Sequence, residues 1–147
     1  MKILLTGATG FIGTELIQEL LDKDFKLSVI LRRKVCSFSD EIKQFSIGNF
    51  VKHLDYSSAL AGVDCVIHLA GKAHVIDQAK ASVLKEFQSI NTDLTLNLAR
   101  QAATAGVKRF IFLSSIGVNG NQNSKPFLES DAINPQEPYA ISKIAGI

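Results

Sequence analysis

Residues 2–13 read KILLTGATGFIG, and this stretch decides the fold. A short apolar run ends at Gly7, and two more glycines, Gly10 and Gly13, complete the spacing Gly-x-x-Gly-x-x-Gly. Residues 11–21 then carry apolar side chains at helical spacing. The stretch therefore predicts a strand, a tight glycine turn and a helix that begins directly after the turn.

Each glycine has its own physical role in this prediction. Gly7 would allow the tight turn out of the strand, Gly10 would let the backbone approach a pyrophosphate, and Gly13 would let the helix pack closely on the sheet. The free N–H groups and the positive dipole end of the helix would face the phosphates. The loop does not end in Gly-Lys-Ser/Thr, so it predicts a dinucleotide-binding loop and not a P-loop.

The rest of the chain alternates between strand-like and helix-like stretches. Apolar runs suited to buried strands occur at residues 3–6, 27–31, 50–54, 63–69 and 109–113. Helical patterns occur at residues 11–21, 57–60, 80–105 and 139–146, with a further short helix expected at 40–45. Residues 117–138 read as a long loop, and Pro138 suits the start of the last helix. This alternation predicts an α/β fold, a Rossmann-type doubly wound parallel sheet of about five strands.

Length and composition point to one globular domain. The chain has 147 residues, of which 46% are hydrophobic and 20% charged, and its formal net charge is +2 at pH 7. These values argue against disorder and against nucleic acid as a partner, and no apolar run approaches the ~20 residues of a membrane span. Cys36 and Cys65 are too few for a disulfide framework or a structural zinc site. We therefore expect a cytoplasmic protein without a metal.

The residues after the second predicted strand bear on the choice of cofactor. An acidic residue about 20 positions beyond the glycines would accept hydrogen bonds from the adenine ribose. Arg32 and Arg33 occupy this place, and an arginine can bind a 2′-phosphate. We therefore favour NADP(H) as the cofactor, with NAD(H) as the alternative if both arginines are solvated surface charges.

Further motifs follow the glycine loop in order. Residues 64–71 read DCVIHLAG, Asn91 lies in the long helical stretch, residues 112–115 read FLSS, and residues 139–143 read YAISK. Together with the glycine loop, they resemble the extended short-chain dehydrogenase/reductases, and among them the NAD(P)-dependent sugar-nucleotide epimerase/dehydratase family. Members of this family are usually much longer. The resemblance implies that residues 1–147 form an NAD(P)-binding Rossmann domain, truncated before the C-terminal substrate region.

The resemblance assigns cofactor-binding roles to the matching positions. With the two arginines, the expected set is Gly7, Gly10, Phe11, Ile12, Gly13, Arg32, Arg33, Asp55, Tyr56, Leu69, Ala70, Gly71, Asn91 and Lys143. Asp55 and Tyr56 would contact the adenine, and residues 69–71 would line the ribose and nicotinamide side. Asn91 would support the active site, unless it is one of the polar residues that face solvent on helices.

The resemblance also implies that Ser115, Tyr139 and Lys143 are catalytic. Tyr139 and Lys143 are four residues apart and would share one helix face, where the ammonium would lower the pKa of the phenol. Ser115 would hold the substrate oxygen, and Tyr139 would exchange a proton with it while the nicotinamide exchanges a hydride. The adjacent Ser114 is the weaker candidate, since neighbours on a strand point in opposite directions.

The histidines receive no catalytic assignment. His68 lies on a buried predicted strand and is expected to be a core histidine with satisfied hydrogen bonds. His74 follows that strand, where a ligand could come near. We expect no metal site from His53, His68 and His74, because no thiol or carboxylate spacing supports one.

Two classes of function remain open. The first is an oxidoreductase or epimerase domain that acts on a nucleotide-activated sugar, expected to be UDP-linked, as a 4-epimerase or a 4-keto reductase. The resemblance disfavours a dehydratase, because dehydratases of the family typically carry an Asp-Glu pair near the tyrosine, and residues 132–134 provide none. The second is a non-catalytic dinucleotide-binding or sensing module, which the presence of both Tyr139 and Lys143 argues against. The resemblance also suggests a homodimer.

Overall fold

The computed structural model describes residues 1–48, 54–73 and 80–147. Five strands within these ranges form one parallel sheet. They are β1 (Lys2–Thr6), β2 (Lys26–Leu31), β3 (Lys43–Ser46), β4 (Cys65–His68) and β5 (Arg109–Phe112). Their spatial order is β3-β2-β1-β4-β5, and every neighbouring pair is parallel. This is the Rossmann order, and it confirms the predicted fold class.

Helices connect the strands and cover the sheet. They are α1 (Phe11–Leu21), α2 (Ser57–Leu60), α3 (Lys80–Phe87), α4 (Leu94–Thr104) and α5 (Pro138–Ile144), with a π-helical stretch at Gln88–Asp93 and a 3₁₀ turn at Ile116–Val118. Each α-helix lies within or overlaps a helical stretch predicted from the sequence. The sequence predicted one continuous helix at 80–105, and it predicted neither the π-helical stretch within it nor the 3₁₀ turn. None of the helices in the described ranges combines the length and the apolar content needed to cross a membrane.

Strand β1 shows how one apolar run supplies two cores. Successive strand side chains point to opposite faces of a sheet. Ile3 and Leu5 accordingly pack in a core with α1, whereas Leu4 packs in a second core with α2 and α4. All three side chains are buried. A strand covered on both faces needs apolar residues at consecutive positions, as the sequence of β1 provides.

The short helix predicted at residues 40–45 is wrong. Residues 43–46 form β3, which pairs with Ser28–Leu31 of β2. The polar composition of this segment gives no strand signal of its own, but pairing satisfies the backbone groups at the edge of β2. Phe45 also packs against the second core, with the Lys43 ammonium 4.9 Å from its ring centroid. The strand predicted at 50–54 lies outside the described residues except for Leu54, which is not in a strand.

Candidate functional site

The loop between β1 and α1 leaves almost no space around two of its glycines. A Cβ on Gly7 would lie 2.7 Å from the Ala70 backbone nitrogen, and Gly7 has a φ of +74°. A Cβ on Gly13 would lie 2.1 Å from the Gly7 carbonyl oxygen. A Cβ on Gly10 would lie 3.3 Å from that oxygen, a much milder contact. The close approach of loop, helix and sheet therefore depends on glycine at positions 7 and 13.

The first turn of α1 presents unpaired backbone donors. The Gly10 carbonyl accepts the Thr14 N–H at 3.0 Å, and no side chain caps the helix. The N–H groups of Phe11, Ile12 and Gly13 precede the first helical hydrogen bond and therefore have no acceptor within α1. Such groups, together with the positive end of the helix dipole, favour an anion. The turn fits the diphosphate of a dinucleotide.

A cleft of about 510 Å³ opens at the carboxyl ends of β1, β2 and β4. Its wall includes these members of the predicted cofactor-binding set: Gly7, Gly10, Arg32, Tyr56, Leu69, Ala70 and Gly71. Apolar side chains such as Ile90 and Leu94 complete it. A concave site with apolar walls and a few polar groups is typical of cofactor binding, and the carboxyl end of a parallel sheet is its usual place.

Asp55 and Tyr56, the pair predicted to contact the adenine, lie in two different environments. Tyr56 is buried and lines the cleft, and burial raises the pKa of its phenol. Asp55 is exposed, and its carboxylate accepts the Ser57 N–H at 2.8 Å, which lowers its pKa. Asp55 therefore orders the start of α2 instead of lining the cleft. Arg33 is likewise exposed and does not line the cleft wall, although its neighbour Arg32 does.

Asn91 is fully buried and joins the loop after β4 to α5. Its Oδ1 accepts the Lys72 N–H at 2.8 Å, and its Nδ2 donates to the Lys72 carbonyl at 2.9 Å and to Ser142 Oγ at 3.0 Å. Ser142 Oγ donates in turn to the Tyr139 carbonyl at 2.7 Å. Asn91 lies in the π-helical stretch, a distortion that is frequent at functional sites. The solvent-facing interpretation of Asn91 is therefore wrong.

Lys143 is a buried residue of α5 and lies next to this network. Its side chain is 3% exposed, and Nζ lies 3.9 Å from the centroid of the Phe112 ring. A Cβ on Gly71 would lie 3.8 Å from the same Nζ. Within the described ranges, no hydrogen bond or ion pair from this ammonium is formed. Burial lowers the pKa of Lys143 to about 8.

Tyr139 lies in the first turn of α5, with its ring edge-on to Phe87 at a centroid distance of 5.9 Å. Burial raises the pKa of its phenol. The sequence predicted the opposite direction, because the charge of Lys143 was expected to dominate. That prediction is wrong in this arrangement, because burial of the phenol disfavours the phenolate and no attraction by the Lys143 ammonium offsets it.

Ser115 and Ser114 also differ in their surroundings. Ser115 Oγ accepts the Gly117 N–H at 3.2 Å and thereby caps the 3₁₀ turn. A Cβ on Gly117 would lie 3.5 Å from both Ser115 Oγ and the Ala140 Cβ, so Ser115 is close to the first turn of α5. Ser114 Oγ is buried and has no hydrogen-bond partner among the described residues. The catalytic role of Ser115 remains a prediction.

His68 is a buried core histidine, as the sequence predicted. The Thr95 hydroxyl donates to the Asn91 carbonyl at 2.7 Å, so it can only accept from His68 Nε2 at 2.9 Å. His68 Nδ1 then accepts the Thr6 hydroxyl at 2.6 Å. This network assigns a neutral ring with its proton on Nε2. Burial, and to a smaller extent the charge of Lys143, lowers the pKa of His68 to about 4.

Several site residues were not identified from the sequence. They are Lys72 on the cleft wall, Thr95 beside His68, and Ser142 on α5, which bonds to Asn91. No motif gave any of them a role. Their positions carried a weak signal, because Lys72 follows Gly71 directly and Ser142 lies within the YAISK motif. The predictions for His53 and His74 fall outside the described residues.

Comparisons with known proteins agree with this geometry. The model of the NAD dependent epimerase/dehydratase family matches residues 3–147. The chain is similar to a UDP-glucose 4-epimerase of Vibrio cholerae, with 40% identity over 145 residues that cover 97% of this chain and 44% of that protein. Among solved structures, it is similar to MoeE5 in complex with UDP-glucose and NAD, with a TM-score of 0.83, 28% identity, and coverage of 99% of this chain and 46% of that one.

A second solved structure extends this likeness. It is the UDP-glucuronic acid 4-epimerase of Bacillus cereus in complex with NAD, with a TM-score of 0.81, 26% identity, and coverage of 99% of this chain and 50% of that one. The chain thus spans about half the length of the relatives that it matches. Because the family model matches nearly every residue, the chain belongs to the NAD dependent epimerase/dehydratase family.

Proposed function

We propose that the chain is the dinucleotide-binding part of an enzyme that epimerises or reduces C4 of a UDP-linked sugar. The observation that carries this proposal is Lys143, a buried residue whose ammonium lies beside Gly71 and over the Phe112 ring and has no hydrogen-bond acceptor within the described ranges. Burial of a charge without a hydrogen-bonded partner is costly. A ligand oxygen at the end of the cleft, such as a ribose hydroxyl, would satisfy this ammonium. The relatives named above support the substrate class.

The side chains near Lys143 suit proton transfer to a sugar oxygen. The raised pKa keeps Tyr139 protonated in neutral solution, so its phenol can donate a proton to a carbonyl oxygen at C4. Ser115, close to the first turn of α5, would hold that oxygen beside the phenol. The nicotinamide dinucleotide supplies the hydride when bound. Ser142 and Asn91 fix the backbone of α5 and thereby the position of Tyr139.

The enzymatic proposal is tested by a Tyr139→Phe variant in a protein of the relatives' full length that carries these residues. We expect turnover of the UDP-sugar to fall about a thousandfold, with unchanged affinity for NADH, because the variant removes only the transferable proton. The 147 residues alone are expected to bind dinucleotide weakly and to show no steady-state turnover. Unchanged turnover in the variant would refute the role of Tyr139. Dinucleotide binding without turnover in the full-length protein would favour the sensing module.

Arg32 is expected to determine the choice between the two dinucleotides. Because it lines the cleft, Arg32→Ala should weaken NADPH binding about tenfold and NADH binding less than about twofold. Arg33→Ala is the matched control, since Arg33 carries the same charge but does not line the cleft wall. Calorimetric titration of the chain with both nucleotides measures the difference. Tighter binding of NADH by the wild type would favour NAD as the cofactor.

A homodimer is part of the same proposal. Sedimentation velocity on the 147-residue chain is expected to show a dimer in equilibrium with monomer. A single monomeric species at all concentrations would remove this prediction without affecting the proposed chemistry.

A further inference from the structure

We propose that Lys72 is an additional diphosphate-binding side chain of the cleft, and that Glu86 is a counter-ion which a bound diphosphate displaces. The proposal rests on the proposed dinucleotide function. It adds Lys72 as a binding residue, and it adds the competition between Glu86 and the diphosphate for the Lys72 ammonium. It concerns the loop after β4, where neither residue was assigned a role from the sequence.

The first observation is the charge of the cleft wall. Arg32 and Lys72 are the formally charged residues that line it, and both are cations. Arg32 follows β2, whereas Lys72 follows β4 on the other side of the glycine loop. A dinucleotide carries negative charge on the diphosphate between its two nucleosides, and NADP(H) carries a further phosphate on the adenine ribose. Arg32 is assigned above to that ribose phosphate, which leaves Lys72 as the cation of the cleft wall available to the diphosphate.

The second observation is that Asn91 holds the backbone of Lys72 but makes no bond to its ammonium. The side-chain amide of Asn91 bonds to both the N–H and the carbonyl of Lys72. Gly71, the preceding residue, is close to the Lys143 ammonium. The start of the Lys72 side chain is therefore fixed relative to the glycine loop and to α5. Its flexible methylene chain can still carry the ammonium between two partners.

The third observation is the present partner of that ammonium. Lys72 Nζ forms an ion pair with the Glu86 carboxylate on α3, and both side chains are 33% exposed. Each side chain keeps about a third of its surface in water, so solvent partly screens the pair. A phosphate oxygen held by the first turn of α1 would offer Lys72 a stronger, charge-assisted bond. Glu86 would then be released towards solvent at little cost.

The dinucleotide, not the nucleotide sugar, is the source of the diphosphate. Lys72 lines the same cleft as Gly7 and Gly10, whose loop fits a dinucleotide diphosphate. The distinction can be measured, because ADP-ribose and UDP both carry a diphosphate but on different nucleosides. AMP carries a single phosphate and would leave the contact with Lys72 unmade.

The test uses calorimetric and NMR titrations of the 147-residue chain with ADP-ribose, AMP and UDP. Lys72→Met, which keeps an unbranched side chain but removes the ammonium, should weaken ADP-ribose binding about tenfold and leave AMP binding unchanged. Glu86→Gln should tighten ADP-ribose binding about two- to fivefold, because it removes the competitor. In the double variant, Glu86→Gln should have no further effect, since Lys72 is absent.

Matched controls separate this competition from a general change in charge. Glu19 on α1 and Lys23, shortly after the end of this helix, form an exposed ion pair, with side chains 69% and 63% exposed. Lys23→Met and Glu19→Gln make the same chemical changes and should leave ADP-ribose binding unchanged. Circular dichroism and thermal unfolding show whether each variant keeps the wild-type fold.

Three results would overturn the proposal, and they are distinguishable. Unchanged ADP-ribose affinity in a folded Lys72→Met variant would remove the role of Lys72 alone. Weaker binding of UDP without weaker binding of ADP-ribose would remove the assignment to the dinucleotide. Failure of the wild type to bind ADP-ribose at all would overturn the proposed dinucleotide function, and this inference with it.

Discussion

A Gly13→Ala variant is expected to lose about 3 kcal/mol or more of the free energy of folding. The new Cβ would lie 2.1 Å from the Gly7 carbonyl oxygen and 2.9 Å from the Ala8 Cα, and these backbone atoms cannot rotate away. Helix α1 would have to move from the end of the sheet. That movement would disturb Ile17 and Leu20, which are buried in the core shared with β1. Urea denaturation measures the loss.

Gly10→Ala is the matched variant in the same loop. Its Cβ would lie 3.3 Å from the Gly7 oxygen, so a shift of a few tenths of an ångström accommodates it. We expect stability to change by less than about 1 kcal/mol, while NADH binding weakens at least about tenfold, because the methyl group blocks the close approach of the phosphates. Wild-type stability of Gly13→Ala would contradict the packing described for α1. Wild-type NADH affinity of Gly10→Ala would contradict the dinucleotide loop.

Protonation of His68 is expected to destabilise the chain by about 3 kcal/mol as the pH falls from 7 to 4. The pKa of this imidazole is 6.5 in an unfolded chain and about 4 in the folded protein. Between pH 6.5 and about 4, His68 is therefore protonated in the unfolded state but mostly neutral in the native state. The stabilisation by neutral His68 is complete above pH 6.5, declines down to about pH 4 and is absent below it.

Urea denaturation at a series of pH values measures this effect. A His68→Gln variant is expected to be less stable at pH 7, because glutamine cannot reproduce both bonds to Thr6 and Thr95, but its stability should fall less steeply between pH 6.5 and 4. Equal slopes in variant and wild type would show that His68 does not cause the acid sensitivity. The lowered pKa of Lys143 acts in a separate range, because its ammonium reduces native stability only as the pH falls from 10.5 to about 8.

The central strands were predictable because burial on both faces leaves a continuous apolar run. Strands β1, β2 and β4 all read in this way, and their predicted bounds agree with the structure to within two residues. Strand β3 lies at the edge of the sheet, and its four residues are at most half-buried. Its conformation comes from pairing with β2, a long-range effect that local pattern and propensity cannot reveal.

The glycine positions of the site were predictable for a different reason. No other residue combines the backbone freedom of Gly7 with the absence of a Cβ that Gly13 requires, so the residue type itself carries the signal. Lys72 and Ser142 are ordinary polar residues whose partner, Asn91, is 19 and 51 positions away in the chain. Only the folded arrangement of β4, the π-helical stretch and α5 brings these partners together.

The paired bonds from the Asn91 amide to Lys72 imitate a rung of a parallel ladder, with a side chain in place of the neighbouring strand. These bonds hold the backbone at residue 72, four residues after the end of β4. The Asn91 amide bonds only to main-chain atoms of residue 72, so these two bonds do not depend on the side chain at that position. Natural variation or protein engineering could change that side chain, and with it the charge of the cleft, without redirecting the chain. A substitution at position 72 would therefore change the charge of the cleft and leave the two bonds from Asn91 in place.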